Sequence, residues 1–353
     1  MGHRIQFDFR WWFNFKIIPM KAYIKNISYY LPDKILTNKE LVREFPEWNE
    51  EKVSDKVGIN QRHISANDET AGDMAVKAAE KLFTEYKINP ETIDFVLLCT
   101  QSPDYFLPTT ACLIQNKLGI PTTAGALDFN LGCSGYVYGL SLAKGLIFAN
   151  IAKNILLLTA ETYTKYIHSQ DKGNRSIFGD GATASLISTD GFAEIKDFVL
   201  GTDGRGANNL IIQTGCSRLF EKGNSNKTDE GGSFQSPDYL YMNGSEIFNF
   251  TLDAVPALVS ATLRKNELEL SEVDLFVFHQ ANKFMLNTIR KLCSISKEKF
   301  YIDMEDIGNT VSSTIPIALA RVRNQDIYSE NSNILIAGFG VGYSWGACVL
   351  RGC

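Results

Sequence analysis

The chain has 353 residues, 44% hydrophobic and 21% charged, which supplies material for a large core and excludes a disordered or fibrous chain. Its 35 basic against 40 acidic residues give a net charge of −5, arguing against nucleic acid as the main ligand, since phosphate binding needs a basic footprint. No apolar run approaches the roughly 18 residues of a membrane helix, and the 7 cysteines, without a C-x-x-C pair, suit reduced thiols in a cytoplasm better than zinc or redox motifs.

From the N-terminus, residues 1–19 carry aromatics interrupted by Asp8, Arg10 and Lys16, without the apolar stretch or cleavage site of a signal peptide. They read as an extension ahead of a start at Met20. Helical apolar spacing follows over 72–86, then buried strands over 93–99 and 126–129. The pattern next predicts a helix over 135–149, strands over 155–159 and 183–187, and a polar surface loop over 223–233. Helices are expected over 247–263 and 284–293, with a strand at 275–278 between them. A helix running to Arg321 and strands over 334–337 and 347–350 close the chain. Such alternation predicts stacked α/β layers with mostly buried strands.

The order of these segments repeats. Ile93-Asp94-Phe95-Val96-Leu97-Leu98 returns as Val273-Asp274-Leu275-Phe276-Val277-Phe278, each followed by a helical segment. Asp128 with Gly132-Cys133 is matched by Asp303 with Gly308-Asn309, each opening a helix. Asn154-Ile155-Leu156-Leu157 returns as Asn333-Ile334-Leu335-Ile336, and Gly181-Ala182-Thr183-Ala184-Ser185-Leu186 resembles Gly346-Ala347-Cys348-Val349-Leu350. Matches in one order predict two similar α/β halves, residues 20–190 and 191–353, packed together.

Three polar residues fall at the ends of these segments. Cys133, in Gly132-Cys133-Ser134-Gly135, follows a strand and precedes a helix. There the helix dipole and free amides favour thiolate, although a Cys among small residues is more often a buried hydrophobe. His279, one of 4 histidines, sits at a strand's exit, where open α/β sheets expose functional groups; a satisfied core histidine is the plainer alternative. Asn309 takes in the second half the place of Cys133 in the first, and its plainer role is an N-cap. Gly338-Phe339-Gly340-Val341-Gly342 runs into a terminal strand, leaving no room for a dinucleotide-binding βαβ unit. A turn offering N–H groups to an oxyanion fits it better.

These motifs, together with Phe178-Gly179-Asp180-Gly181-Ala182, His279-Gln280-Ala281-Asn282, Gly308-Asn309-Thr310 and Tyr343-Ser344-Trp345-Gly346, stand in the order of the β-ketoacyl-acyl-carrier-protein synthase III family. The chain resembles that family from about Met20 to its end. The resemblance implies a thiolase-like α/β fold, two duplicated halves in a five-layer α-β-α-β-α arrangement, usually as a homodimer. It implies that Cys133 is the acylated nucleophile and that His279 and Asn309 bind the thioester carbonyl during condensation. The backbone N–H groups of Cys133 and Val341 would form the oxyanion hole. The implied reaction is decarboxylative condensation of an acyl-CoA primer, held on Cys133, with a malonyl thioester on acyl carrier protein, in fatty-acid or specialised acyl biosynthesis. A rival on the same fold is an acyl-CoA-dependent acyltransferase or thioester hydrolase that forms no carbon–carbon bond. No metal or permanent cofactor is implied, only CoA or phosphopantetheine thioesters as substrates. Lys56, Lys283, Phe284, Arg290 and Lys291 are expected around the cofactor and carrier entrance, and Leu107 at a partner's acyl pocket. Phe284 and Lys56 stand where the family commonly has Arg, and Trp48 lies too far from Gly58-Ile59 for the family's spacing. Along the basic stretch 283–299, helical periodicity is expected to turn Lys283, Arg290 and Lys291 to solvent.

Overall fold

The computed structural model describes residues 20–223, 225–228, 234–325 and 329–353. The N-terminal extension and residues 224 and 229–233 of the polar loop lie outside the described residues. Ten strands join in one sheet: β1 (Tyr23–Tyr30), β2 (Phe95–Cys99), β3 (Gly125–Phe129), β4 (Ile155–Glu161), β5 (Gly181–Ser188), β6 (Ala193–Thr202), β7 (Leu275–Phe278), β8 (Phe300–Tyr301), β9 (Asn333–Gly340) and β10 (Ser344–Gly352). Their spatial order is β8-β7-β9-β10-β6-β1-β5-β4-β2-β3.

That order is one pattern written twice. In the first half β2 pairs parallel with β3 and β4, then β4 with β5 and β5 with β1 run antiparallel. In the second, β7 pairs parallel with β8 and β9, then β9 with β10 and β10 with β6 run antiparallel. The halves meet through a short antiparallel contact, Tyr23 opposite Glu194 and Ile24 opposite Ala193.

The helices are α1 (Asn38–Glu44), α2 (Glu50–Val57), α3 (Ala71–Tyr86), α4 (Thr110–Lys117), α5 (Gly135–Phe148), α6 (Lys172–Ile177), α7 (Gly244–Lys265), α8 (Lys283–Leu292) and α9 (Thr314–Asn324). Helices α3 and α4 cover the outer face of the first half, and α7 with α8 the outer side of the second. Between the halves lie α5 and α9, which touch strands of both. The layers therefore run α-β-α-β-α, the thiolase-like arrangement.

Burial on both faces explains the sequence pattern. Every residue of β4 and β9 is buried, so these strands read as apolar runs without alternation. Helix α5 is apolar around most of its circumference because both half-sheets press on it. A Cβ on Gly139 would sit 2.6 Å from Leu157 Cδ1, so this glycine lets α5 approach β4. Strand β4 runs to Glu161 and β9 to Gly340, beyond their apolar runs, because the backbone ladder continues. At the other end β2 starts at Phe95, since the turn Pro90–Thr92 occupies the preceding residues.

Candidate active site

Cys133 lies in the turn between β3 and α5 and is 7% exposed. The turn closes on itself, with the Gly135 N–H donating to the Gly132 carbonyl at 2.8 Å. Strand β9 passes directly beneath. A Cβ on Gly338 would lie 2.6 Å from the Cys133 carbonyl oxygen, and one on Gly340 would lie 2.7 Å from its Sγ. Bare backbone is the condition for that approach. The backbone amides of Cys133 and Val341, the two expected to face an oxyanion, both favour the thiolate. The expected lowering of the thiol pKa is not found. Burial dominates, helped by the Glu161 carboxyl, and pushes the thiol up to about 12 against the pull of the two amides. Cys133 is therefore a thiol, not a thiolate, in the free protein at neutral pH.

His279 extends the parallel ladder of β7 on β9, its N–H donating to the Ala337 carbonyl at 2.8 Å. Its ring meets Phe339 edge-on, centroids 5.9 Å apart, and its Nδ1 lies 2.8 Å from the Thr314 hydroxyl at the start of α9. Burial lowers its pKa to about 3, so the imidazole is neutral. The Thr314 hydroxyl has the Val311 carbonyl within reach too, at 3.1 Å. When it donates to the ring instead, the imidazole proton sits on Nε2. The rest of the His279-Gln280-Ala281-Asn282 motif is structural. Gln280 donates to the Phe278 carbonyl at 2.6 Å and accepts the Asp303 N–H at 2.7 Å, while Asn282 caps α8 by accepting the Met285 N–H at 2.8 Å.

Asn309 is not an N-cap, because the turn Val311–Ser313 intervenes before α9. It forms a parallel bridge with Phe178: its N–H donates to the Ile177 carbonyl at 2.9 Å, and the Gly179 N–H donates to its carbonyl at 3.0 Å. The Phe178-Gly179-Asp180 motif is thereby the clamp that holds Asn309. Asp180 pins the clamp, accepting the Ser65 N–H at 2.8 Å and the Thr164 N–H at 3.0 Å. Fully buried Arg62 donates to the Ser176 carbonyl at 2.7 Å from below. The Asn309 Oδ1 accepts the Val311 N–H at 2.9 Å. That bond fixes the carboxamide oxygen and leaves Nδ2 as the end able to donate outward.

The segments that carry the three residues converge. A Cβ on Gly132 would lie 2.8 Å from Val341 Cγ1 and 3.3 Å from Val311 Cγ1. The turn bearing Cys133 thus packs between the turn after Asn309 and the glycine-rich turn after β9, and Thr314 links the former to His279. Arg62, Glu161, Lys172, Ser312 and Thr314 lie outside the motifs read from the sequence, whereas the supports Phe178, Gly179, Asp180 and Gln280 lie inside them.

A cavity of about 780 Å³ opens beside this centre, lined by Trp48, Lys56, Lys172, Ile177 and Met242 among others. Ile177 ties it to the site through its bond to Asn309. Trp48 belongs to the cavity after all, because the residues before Gly58 coil into α2, and helical rise is only about 1.5 Å per residue. Lys172 Nζ sits 5.9 Å from its ring centroid. Lys283 packs over Gly58, and Phe284, 61% exposed, stacks on Phe248 at 5.5 Å. Lys291 is exposed, but Arg290 is not turned to solvent as expected. It is half-buried, and its Nη1 donates to the Ile295 carbonyl at 2.8 Å, closing the turn after α8. Leu107 is 82% exposed, next to the similarly exposed Tyr105 and Phe106. Among the described residues no His, Cys, Asp and Glu cluster could hold a metal ion, and no helix is long and apolar enough to cross a membrane.

Duplicated α/β halves that bring a thiol, an imidazole and a carboxamide together at their junction define a thiolase-like condensing enzyme. Residues 127–204 match the family model of 3-oxoacyl-(acyl-carrier-protein) synthase III, and residues 263–352 match that of its C-terminal part. A β-ketoacyl-(acyl-carrier-protein) synthase III of Clostridium perfringens is 35% identical over 323 residues, 91% of this chain and 96% of its own. A solved 3-oxoacyl-(acyl-carrier-protein) synthase III superposes with a TM-score of 0.92 at 47% identity, covering 94% of this chain and 99% of that one. The 3-oxoacyl-(acyl-carrier-protein) synthase of Burkholderia xenovorans LB400 gives 0.86 at 36% identity, with 94% of each chain covered. The chain belongs to the 3-oxoacyl-(acyl-carrier-protein) synthase III family, a family of acyltransferases.

Proposed function

We propose that this protein joins an acyl-CoA primer to a malonyl thioester by decarboxylative condensation, with the nucleophile supplied by residues 20–190 and the enolate-binding pair by residues 191–353. The observation that carries this reading is the orientation of Asn309, whose oxygen is held by Val311 so that its N–H₂ end is left to donate, in a turn that packs against the one bearing Cys133. In the first half-reaction the Cys133 sulfur attacks the acyl-CoA carbonyl. The amides of Cys133 and Val341 stabilise the oxyanion, and the thiol proton leaves with the CoA sulfur as free CoA thiol. In the second, the malonyl carboxylate departs as CO₂ and its electron pair forms an enolate. Asn309 Nδ2–H and the Nε2–H of neutral His279 donate to the enolate oxygen. The enolate carbon attacks the acyl-Cys133 carbonyl, the C–S bond breaks, and Cys133 takes up a proton.

Trp48 offers an aromatic face and Lys56 and Lys172 offer cations in the adjoining cavity, a set suited to the base and phosphates of CoA. The donor arrives on acyl carrier protein, whose acidic surface meets the basic rim at Lys283 and Lys291 beside Phe284. The protein works as a cytoplasmic homodimer in which the exposed Leu107 reaches the partner's acyl pocket.

Incubation with acyl-CoA followed by intact-mass measurement tests the reading. An adduct on Cys133 that is stable in buffer and consumed by a malonyl thioester with release of a β-ketoacyl product supports it. An adduct lost in buffer alone means hydrolysis, and no adduct means that the site does not accept acyl groups.

A further inference from the structure

Glu161, the last residue of β4, is fully buried and takes no part in the steps above. Its Oε2 accepts the Gln101 N–H at 3.0 Å and the Ser102 hydroxyl at 3.2 Å, both in the loop after β2. Its Oε1 accepts the Ser312 hydroxyl at 2.9 Å, in the turn that follows Asn309. A single side chain thus fastens a loop of the first half to a turn of the second.

Each end of this brace leads to a reacting group. Gln101 accepts the Tyr163 hydroxyl and donates to Asn130 at 3.0 Å, and its Oε1 lies 2.6 Å from where a Cβ on Gly132 would stand, next to Cys133. Ser312 follows Val311, whose N–H holds the Asn309 oxygen and whose carbonyl lies 3.1 Å from the Thr314 hydroxyl, the neighbour of His279 Nδ1.

The two ends are held differently, and the Asn309 backbone is itself clamped on Phe178. The Cys133 turn has its own bonds: Gly135 N–H to the Gly132 carbonyl at 2.8 Å, and Cys99 Sγ–H to the Leu131 carbonyl at 3.0 Å. The turn after Asn309 contains Val311 at φ +56°, a left-handed conformation that a β-branched residue rarely adopts. Such a residue stays there only where its surroundings over-determine it. Here the anchors are Ser312 on Glu161 and Ser313 on Thr159, the latter pair 2.8 Å apart.

We propose that Glu161 is a positioning residue for the second half-reaction, anchoring Ser312 so that Val311, and with it the Asn309 carboxamide, stays aimed at the enolate oxygen. This rests on the condensing reading above. Burial pushes the Glu161 carboxyl up to about 8.

The test separates the half-reactions, using whichever of acetyl-, butyryl- and octanoyl-CoA primes the wild type fastest. Rapid-quench intact mass follows acylation, and malonyl-CoA and malonyl-loaded carrier protein serve as donors for condensation. Glu161→Leu should lower the condensation kcat at least about 30-fold while acylation and the KM for donor change less than about threefold, the pattern of a lost transition-state interaction. Ser312→Ala, which severs one link and keeps the carboxyl, should lower condensation about tenfold with acylation unchanged. Glu161→Gln should restore condensation to within about threefold of wild type, since a carboxamide keeps an acceptor for Gln101 and Ser102 and a polar end for Ser312. If Glu161→Leu does not fold, the other two variants decide. Wild-type condensation in Ser312→Ala, equal loss in both half-reactions, or a Gln variant as poor as Leu overturns the assignment. A wild type that makes no product from either donor overturns the condensing reading instead.

Discussion

At the turn between β3 and α5 the first half presents a thiol; at the equivalent turn between β8 and α9 the second presents a carboxamide. The first turn spans only residues 130–134, while the second spans 302–313. The extra length is filled with fixings. Asp303 and Asp306 each accept from Arg321 at 2.8 Å, Gly308 turns at φ +76°, and Asn309 is clamped against Phe178. The difference follows from what each group must do. A sulfur atom needs only to be placed near two amides. A planar carboxamide must also be oriented, and orientation takes bonds from several elements.

Removing the thiol breaks this comparison most completely. Cys133→Ala should abolish the acyl adduct, and peptide mapping of the wild-type adduct should return Cys133. The other cysteines are placed differently: Cys99 is buried and its Sγ donates to Leu131, Cys112 is exposed on α4, and Cys293 ends α8. An adduct mapped to Cys112 or Cys293 would show that the first turn is not the nucleophile's seat.

The carboxamide comes next. Asn309→Ala should cost about 2–4 kcal/mol in condensation, the scale of a lost oxyanion donor, and should leave acylation within a few-fold of wild type. Equal losses in single-turnover acylation and in condensation would mean that the halves do not divide the work.

The imidazole contributes through its neutrality. Its pKa of about 3 lies below the roughly 6.5 of an unfolded histidine, so between these values the unfolded chain binds a proton that the native state lacks. Stability is then lost as pH falls from 6.5 towards 3, on the order of 2–3 kcal/mol by pH 4.5. In urea titrations the gap between wild type and His279→Gln should shift by that amount between pH 7 and 4.5. Parallel curves would mean that the native imidazole is charged.

What could be read without coordinates follows the same division. Strands buried on both faces announce themselves as apolar runs, which is why β4, β7 and β9 were legible, and the duplication with them. His279 stands out because it ends such a run, and Cys133 and Asn309 because they hold matching places of the duplication, each ahead of a helix. Their supports do not. Ser312 and Thr314 are ordinary residues of a helix entry, and Glu161 follows the apolar run of β4 where a carboxylate reads as surface. The thiol's acidity was misjudged because the dipole argument is local, whereas burial is set by β9, more than 200 residues away in sequence. Trp48 was misjudged because counted residues are not distances once α2 coils between them.

Arg290 shows how a periodicity can be misread. It follows the buried Leu286 by four residues, so it flanks the buried face of α8, and the carbonyl of Ile295 captures its guanidinium. Charge reversal there would break a turn as well as a surface, so it cannot report on docking. Lys291 and Lys297 can, because both are exposed near the end of α8. The doubly reversed protein, Lys291→Glu with Lys297→Glu, should react about three- to tenfold more slowly with malonyl-carrier protein at low salt, since rim charges act mainly on encounter rate. The deficit should shrink towards 1 M salt, where the screening length falls to about 3 Å. Acyl-CoA priming should stay within about twofold, because a small thioester does not span the helix face. A deficit equal for CoA and carrier substrates, or one indifferent to salt, would move the carrier to another face and leave the second half with its donor pair but without its dock.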